Sequence, residues 1–302
     1  YSGSTKGWIP IEDDTVTDAP ITTNENGIFG FGNDGSVTGV TNIVSNAGVV
    51  ASDVSAVGTA RSNLAACEYG GDKGIFAFSG TTNLVSNAGV VAADVTQVGT
   101  DRGVLAACSY GYDKGIFGYG GSVVSITNLV SNVGVVGTDV TGVGTARYSL
   151  KACEYGGDKG IFGFGHTGSA VTGVTNLVSN AGVVATDVSA VGTARHYLAA
   201  CGYSTDKGIF GYGTTGGDAG VTAITNLVSN VGVVASDTTG VGTTREGIAA
   251  TQYGTDKGIF GFGSAGATKY GVTNLVSNAG VVATDVSAVG TARAYLTACS
   301  FN

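Results

Sequence analysis

The sequence predicts an all-β protein, a six-bladed β-propeller of four-stranded blades whose closing blade is shared by the N- and C-terminal ends. Three observations lead there. One pattern of residues is written six times, with Gly-Ile-Phe runs beginning at Gly27, Gly74, Gly115, Gly160, Gly208 and Gly258, 41 to 50 residues apart. A period of that size marks a repeat architecture. Each unit holds four runs of strand length, rich in β-branched and aromatic residues, and no stretch carries a helical period. The two ends are complementary. The chain opens its repeats on a second strand at Asn26-Gly27-Ile28-Phe29 and finishes on a first strand after Arg293.

Within a unit the elements follow in order. The first strand, after Arg61, carries small residues (Leu64, Ala65, Ala66, Cys67), which suit a crowded position nearest an axis. A Gly-Gly-Asp-Lys turn leads to the second strand. There glycine alternates with aromatic residues, so Ile161, Gly163 and Gly165 face one way and Phe162 and Phe164 the other. Such a sheet can stack bulky aromatics onto a neighbour's glycine floor. The third strand is Thr-Asn-Leu-Val, and the fourth is the Val-Val run that ends in Asp. Four-stranded sheets at this period, repeated radially, make a propeller of 4–8 blades. The repeats occupy residues 25–302, and 1–24 form a non-repeat arm carrying Trp8 and the acidic Glu12, Asp13 and Asp14.

Composition agrees. Glycine is 53 of 302 residues, against an ordinary share of about 7 %. With only two prolines and no three-residue period, this signals tight turns and flat strand surfaces. The net charge is −8, and no basic stripe exists to bind phosphate backbones, so nucleic acid is disfavoured. Apolar runs fall far short of the roughly 18 residues of a membrane helix, and the strands lack the alternation of a membrane barrel, so no membrane insertion is expected.

The arrangement resembles the kelch repeat. The Arg before the first strand, the Gly-rich turn, the run Ile116-Phe117-Gly118-Tyr119-Gly120-Gly121 and a later strand carrying Asp keep its order. The resemblance covers residues 25–302 but lacks the kelch Trp, and the strand-turn pattern is also similar to the regulator-of-chromosome-condensation repeat. Asp-Lys-Gly-Ile-Phe-Gly-Tyr-Gly with Thr-Asn-Leu-Val-Ser-Asn further resembles repeats in predicted virion and tail-fibre proteins of bacteriophages, cyanobacterial ones included. That likeness implies a virion-surface or extracellular location, with other virion or surface proteins, or host-surface glycans, as partners. The expected function is a non-enzymatic, surface-displayed binding or structural module of a fibre, tail or capsid decoration. The alternative is a secreted lectin-like propeller.

Residues that recur in every copy read as scaffold. Asp53 and Arg61, Asp94 and Arg102, Asp139 and Arg147, Asp187 and Arg195, Asp237 and Arg245, and Asp285 and Arg293 keep one spacing of eight. They are expected to clamp each crossover from a fourth strand to the next first strand, since a partly buried guanidinium needs its planar fork satisfied. The Asp-Lys turns offer one carboxylate each, too few for a calcium loop. The cysteines Cys67, Cys108, Cys153, Cys201 and Cys299 occupy one repeat position, held by Thr251 in the remaining copy, and read as small buried side chains. No metal or other cofactor is expected. His166 and His196 have no Cys or His partner nearby in sequence, and no Gly-x-Ser-x-Gly nucleophile turn occurs.

Residues that differ between copies are the candidate site. The linkers between second and third strands and the residues just after each Arg both vary, and both belong at one end of a four-stranded unit. Loops on a rigid scaffold commonly carry binding. Tyr148, His166, His196, Tyr197, Asp218, Glu246, Lys269, Tyr270 and Tyr295 are therefore candidate binding residues on one face. Unconstrained loops would vary in the same way. Lys151 stands where other copies carry Ala or Thr and is expected to reach into a central channel.

Overall fold

The computed structural model describes residues 25–77, 80–189, 191–287 and 290–301, so the expected arm at 1–24 lies outside the described residues. The protein is all-β, built of small antiparallel sheets. The one helical element among the described residues is a three-residue 3-10 turn, Asp218–Gly220, and no helix is long and apolar enough to cross a membrane.

Five sheets follow one another along the chain. The first is β3 (Ala65–Tyr69), β4 (Lys73–Ala77), β5 (Thr81–Val85) and a short β6 (Val95–Thr96). The second is β7 (Ala106–Tyr110), β8 (Lys114–Gly118) and β9 (Thr127–Val130). The third is β10 (Lys151–Tyr155), β11 (Lys159–Gly163) and β12 (Thr175–Val178). The fourth is β13 (Ala199–Tyr203), β14 (Lys207–Gly211) and β15 (Thr225–Val228). The fifth is β16 (Ala249–Tyr253), β17 (Lys257–Gly261), β20 (Val272–Val276) and β21 (Val286–Ser287), with a small hairpin of β18 (Ser264–Ala265) and β19 (Thr268–Lys269) inserted in its linker. The sixth sheet joins the two ends: β22 (Thr297–Phe301) pairs with β1 (Asn26–Gly30), which pairs with β2 (Thr41–Val44). Its register runs from Asn26 opposite Phe301 to Gly30 opposite Thr297.

The fourth strand is weaker than the sequence suggests. Only β6 and β21 form, as two-residue strands, and elsewhere the segment touches the third strand through single bridges such as Thr41–Val54 and Thr175–Val188. Side-chain bonds run beside this short ladder in all six units, those of β6 and β21 included. The buried Asn42 amide donates to Ala51 O at 3.0 Å and to Asp53 Oδ1 at 2.8 Å. The same pair of bonds recurs at Asn83, Asn128, Asn176, Asn226 and Asn274.

The core lies between sheets. Buried side chains among the described residues fall into six clusters, each shared by two successive sheets. The glycine floor explains the fit. A Cβ at Gly118 would sit 2.8 Å from Phe162 Cζ of the next sheet, and one at Gly160 would sit 2.4 Å from Cys108 Sγ of the preceding sheet. Aromatic and thiol thus interlock with opposed glycines, and each fully buried Phe contributes roughly 1.5–3 kcal/mol. β3 lies beside β7, β7 beside β10, β10 beside β13, β13 beside β16, β16 beside β22, and β22 beside β3, so the succession returns to its start. Phe31, Phe164 and Phe262, expected to continue the second strand, instead turn out of it at φ 64°.

Candidate functional site

The charged lattice is arranged differently from its spacing. Asp and Arg eight residues apart belong to different sheets, because the chain leaves one sheet after the Asp and starts the next at the Arg. Each Arg meets the Asp of its own sheet instead: Arg61 lies 3.7 Å from Asp94, Arg102 3.9 Å from Asp139, and Arg245 3.7 Å from Asp285. Arg147 faces Asp187, Arg195 faces Asp237, and Arg293 faces Asp53 from the other end of the chain. The Asn relays the contact. Arg293 Nη2 donates to Asn42 Oδ1 at 2.7 Å and Nε to Phe31 O at 2.9 Å, while its guanidinium stacks 4.3 Å above the Phe262 ring of the preceding sheet. The Thr291 amide and hydroxyl donate to Asp53 at 3.0 and 2.6 Å. Burial pushes the Asp53 carboxyl up, but the hydrogen bonds from Thr291 and Asn42 outweigh it and hold the group below the ordinary carboxylate range. Sequence reasoning missed the Thr and Asn members, although Gly-Thr before the Arg and Thr-Asn in the third strand recur in every copy.

The polar turns at the opposite end bond sheet to sheet. Gly70 N donates to Asp113 O, Gly111 N to Asp158 O and Gly156 N to Asp206 O, at 2.7–2.8 Å. Each Asp pairs with the Lys that follows it, as Asp256 does with Lys257 at 2.8 Å.

A ring of backbone hydrogen bonds lies beside the first strands. Asn63 N donates to Tyr295 O, Val104 N to Asn63 O, Ser149 N to Val104 O, Tyr197 N to Ser149 O, Gly247 N to Tyr197 O and Tyr295 N to Gly247 O, all at 2.7–3.0 Å. All six residues have φ between 50° and 61°. No sequence signal marks the ring, because Asn, Val, Ser, Tyr and Gly share only a backbone conformation there.

Around this ring the structure gathers most of the candidate residues. The Tyr148 and His166 ring centroids are 5.2 Å apart, His166 and His196 5.4 Å, His196 and Tyr197 4.8 Å, and Tyr197 and Tyr295 5.3 Å. The Tyr295 hydroxyl donates to Glu246 Oε1 at 3.4 Å. Backbone bridges position them: Tyr148 pairs with His166, His196 with Thr214, and Glu246 with Ser264, so the residue after each of these three Arg is bonded to the third residue beyond its sheet's second strand. Gly247 lets the tyrosines meet, since a Cβ there would lie 2.9 Å from the Tyr295 ring. All six side chains are half-buried. Burial, then the neighbouring His166, lowers the His196 pKa against a backbone hydrogen bond at Thr214. Lys269 lies in β19, Tyr270 follows it with its amide bonded to Gly263 O, and neither enters the described chain of ring contacts; Asp218 begins the 3-10 turn.

Three cavities lie in line among the first strands. One of about 20 Å³ lies under the backbone ring and is lined by Ser149, Lys151 and a tier of leucines and Ile248. One of about 50 Å³ is lined by alanines, Thr297 and Lys151. The third, about 60 Å³ at the far end, is lined by the five cysteines with Glu68, Glu154 and Gln252. Burial lowers the Lys151 ammonium to about 8 and raises Glu154 to about 7. Ser300 donates a hydrogen bond to Glu68 of the adjacent first strand in the wall of this last cavity. Glu68 and Glu154 were missed in sequence because their position reads Glu, Ser, Gly or Gln from copy to copy. Every cysteine is buried, free, and raised in pKa first of all by desolvation. Among the described residues no three His, Cys, Asp or Glu side chains converge on a metal position.

No protein-family model matches the chain, and no curated protein matches it either.

Proposed function

We propose that this protein is a non-enzymatic, surface-displayed binding and structural module, a six-bladed propeller that recognises its partner through its loop-bearing face. Three features support six blades: the cyclic succession of first strands, the six shared core clusters, and the backbone ring through Asn63 and Tyr295. In this reading β22, β1 and β2 are the closing blade, and the bridged Asp segment is each blade's reduced fourth strand.

The observation that carries recognition is the unbroken aromatic chain from Tyr148 to Tyr295, ending on Glu246. Its members come from loops that differ between copies, while the opposite turns repeat. Half-buried Tyr and His rings present flat apolar faces with polar edges, which suits a sugar ring or a protein surface. Its resemblance to predicted phage virion and tail-fibre repeats supplies the setting, a particle surface with host-surface glycans as the ligand class. A secreted lectin-like propeller is the second reading, favoured by the same aromatic chain.

Glycan-array binding by the full chain tests recognition. Tyr197→Ala and Tyr295→Ala are expected to lower binding at least tenfold while thermal unfolding shifts by only a few degrees. Stoichiometric incorporation into purified particles would place the protein in a virion. Binding to no glycan together with absence from particles would overturn the proposal, and turnover of a bound glycan would overturn its non-enzymatic part.

A further inference from the structure

The central cavities hold a charge that the scaffold does not balance. Lys151 lines both the cavity under the backbone ring and the one below it. No carboxylate lines either; Glu68 and Glu154 line the cavity at the far end. No hydrogen bond or ion pair joins the Lys151 ammonium to another described residue, and desolvation is the influence that shifts it. With its pKa at about 8 the side chain is still mostly charged at pH 7. Lys151 is half-buried, and an ammonium drawn partly out of water without a counter-charge is costly, so such groups are found paired.

A second, independent feature lies in the same cavity. Ser149 is 3 % exposed, and its Oγ has no hydrogen-bond partner among the described residues. It lines the roughly 20 Å³ space beside Lys151. Buried hydroxyls normally find a partner, so an orphan beside an unbalanced ammonium needs an explanation. Ser149 belongs to the backbone ring, at φ 52°. The corresponding positions of the other five units hold Asn63, Val104, Tyr197, Gly247 and Tyr295, and Lys151 replaces Ala or Thr, so the two polar groups coincide in one unit alone.

We propose that the cavity between Lys151 and Ser149 is a binding site for a single halide-sized anion, held by the ammonium and the Ser149 hydroxyl. Both groups can donate, and an anion accepts from both. Spaces of about 20 Å³ and about 50 Å³, both lined by Lys151, have room for a monatomic ion with a water or two. Sulfate or a phosphate ester would need more space and more donors than an ammonium and one hydroxyl provide. The ion neutralises the one lysine of the innermost strands and fills the space under the ring. This site does not depend on what the loop face recognises.

Bromide-soaked crystals of the full chain, measured at the bromine absorption edge, test this. An anomalous peak is expected in contact with Lys151 Nζ and Ser149 Oγ and absent from K151A crystals. Five copies of the repeat carry Ala or Thr at that position, so K151A is expected to fold; K151M, which keeps the apolar stem, is the second variant. In solution, replacing gluconate by chloride at constant ionic strength is expected to raise the melting temperature of the wild-type protein saturably, by a few degrees. K151A and K151M should show no such rise, and S149A should need about tenfold more chloride for the same shift, the loss of one hydrogen bond to a charged group. No bromide peak in the wild-type cavity, or a peak and a chloride shift that persist in K151A, would overturn the site.

Discussion

The amide of Asn63 donates a 2.9 Å hydrogen bond to the carbonyl of Tyr295, joining the first complete sheet to the last segment of the chain. With five further bonds of the same kind it forms a six-membered backbone ring. β22 supplies the matching contact one layer out, pairing along the whole of β1. A chain truncated before Arg293 loses the ring, the edge partner of β1 and one Arg clamp together. It is expected to unfold without a cooperative transition and to aggregate through the bare β1 edge. Size-exclusion chromatography and a thermal melt check this, and a monomer with a sharp transition would contradict it.

Gly247 is held at φ 59°, and a Cβ there would lie 2.9 Å from the Tyr295 ring. Gly247→Ala combines left-handed strain with a steric clash and is expected to cost about 1–3 kcal/mol. Asn63→Ala, at a ring position that already tolerates a Cβ, serves as the control and should cost less. Urea unfolding midpoints separate the two.

Arg293 is fully buried, with its fork divided among Phe31 O, Thr291 O and Asn42 Oδ1. Arg293→Lys keeps the charge but cannot fill three directions or stack as a plane on Phe262, and is expected to destabilise by about 2–4 kcal/mol. The six clamp carboxylates, Asp53 among them, have folded pKa values below their unfolded ones. Their contribution is therefore present above about pH 4 and is lost as pH falls through the lowered folded values. Urea midpoints should drop steeply below pH 4, and Asp53→Asn should make that drop shallower.

Glu154 behaves in the opposite sense. Burial raises its folded pKa to about 7, so the protein binds this proton more tightly folded than unfolded. The resulting stabilisation is full below the unfolded carboxylate value near pH 4 and is lost as pH rises through about 7. Glu154→Gln removes the ionisation. The variant is expected to gain stability over wild type at pH 8 and to lose that advantage at pH 5, as read from paired urea curves.

The five thiols are free, buried and shifted up in pKa. Thiolate is the reactive form, so a disulfide reagent at pH 8 should label fewer than one cysteine per native chain and all five after denaturation. Rapid native labelling would show that the contacts with the neighbouring sheets' glycines open readily.

Much of this molecule is legible in its residues because each repeat states a local need. Phe162 and Gly118 read as bulky aromatic and floor from the alternation alone, and the structure packs them so; that Cys108 meets Gly160 in the same way was not legible, since the cysteines read only as small buried side chains. The two half-sheets at Gly27 and Cys299 announce their own pairing. The candidate face was partly legible, since variability picked out Tyr148, His166, His196, Tyr197, Glu246 and Tyr295. It also picked out Lys269 and Tyr270, which the inserted hairpin keeps outside the described ring contacts. Variation reports where side chains are free to differ, and contact between them depends on strand ends meeting in space.

The sequence by itself determined the all-β class, the number of repeats, the interlocking of aromatics with glycines, and the buried thiols. These follow from period, side-chain size and turn chemistry, which act within a unit or between identical neighbours. Only the tertiary structure decided that Arg61 answers to Asp94 rather than Asp53, that the fourth strand is shortened to bridges beside the Asn side-chain bonds, and that Asn63 bonds Tyr295. It alone brought Ser149 and Lys151 to one cavity. Each of these is a choice between sheets, and a spacing along the chain cannot say which sheet a side chain will face once the chain has turned away.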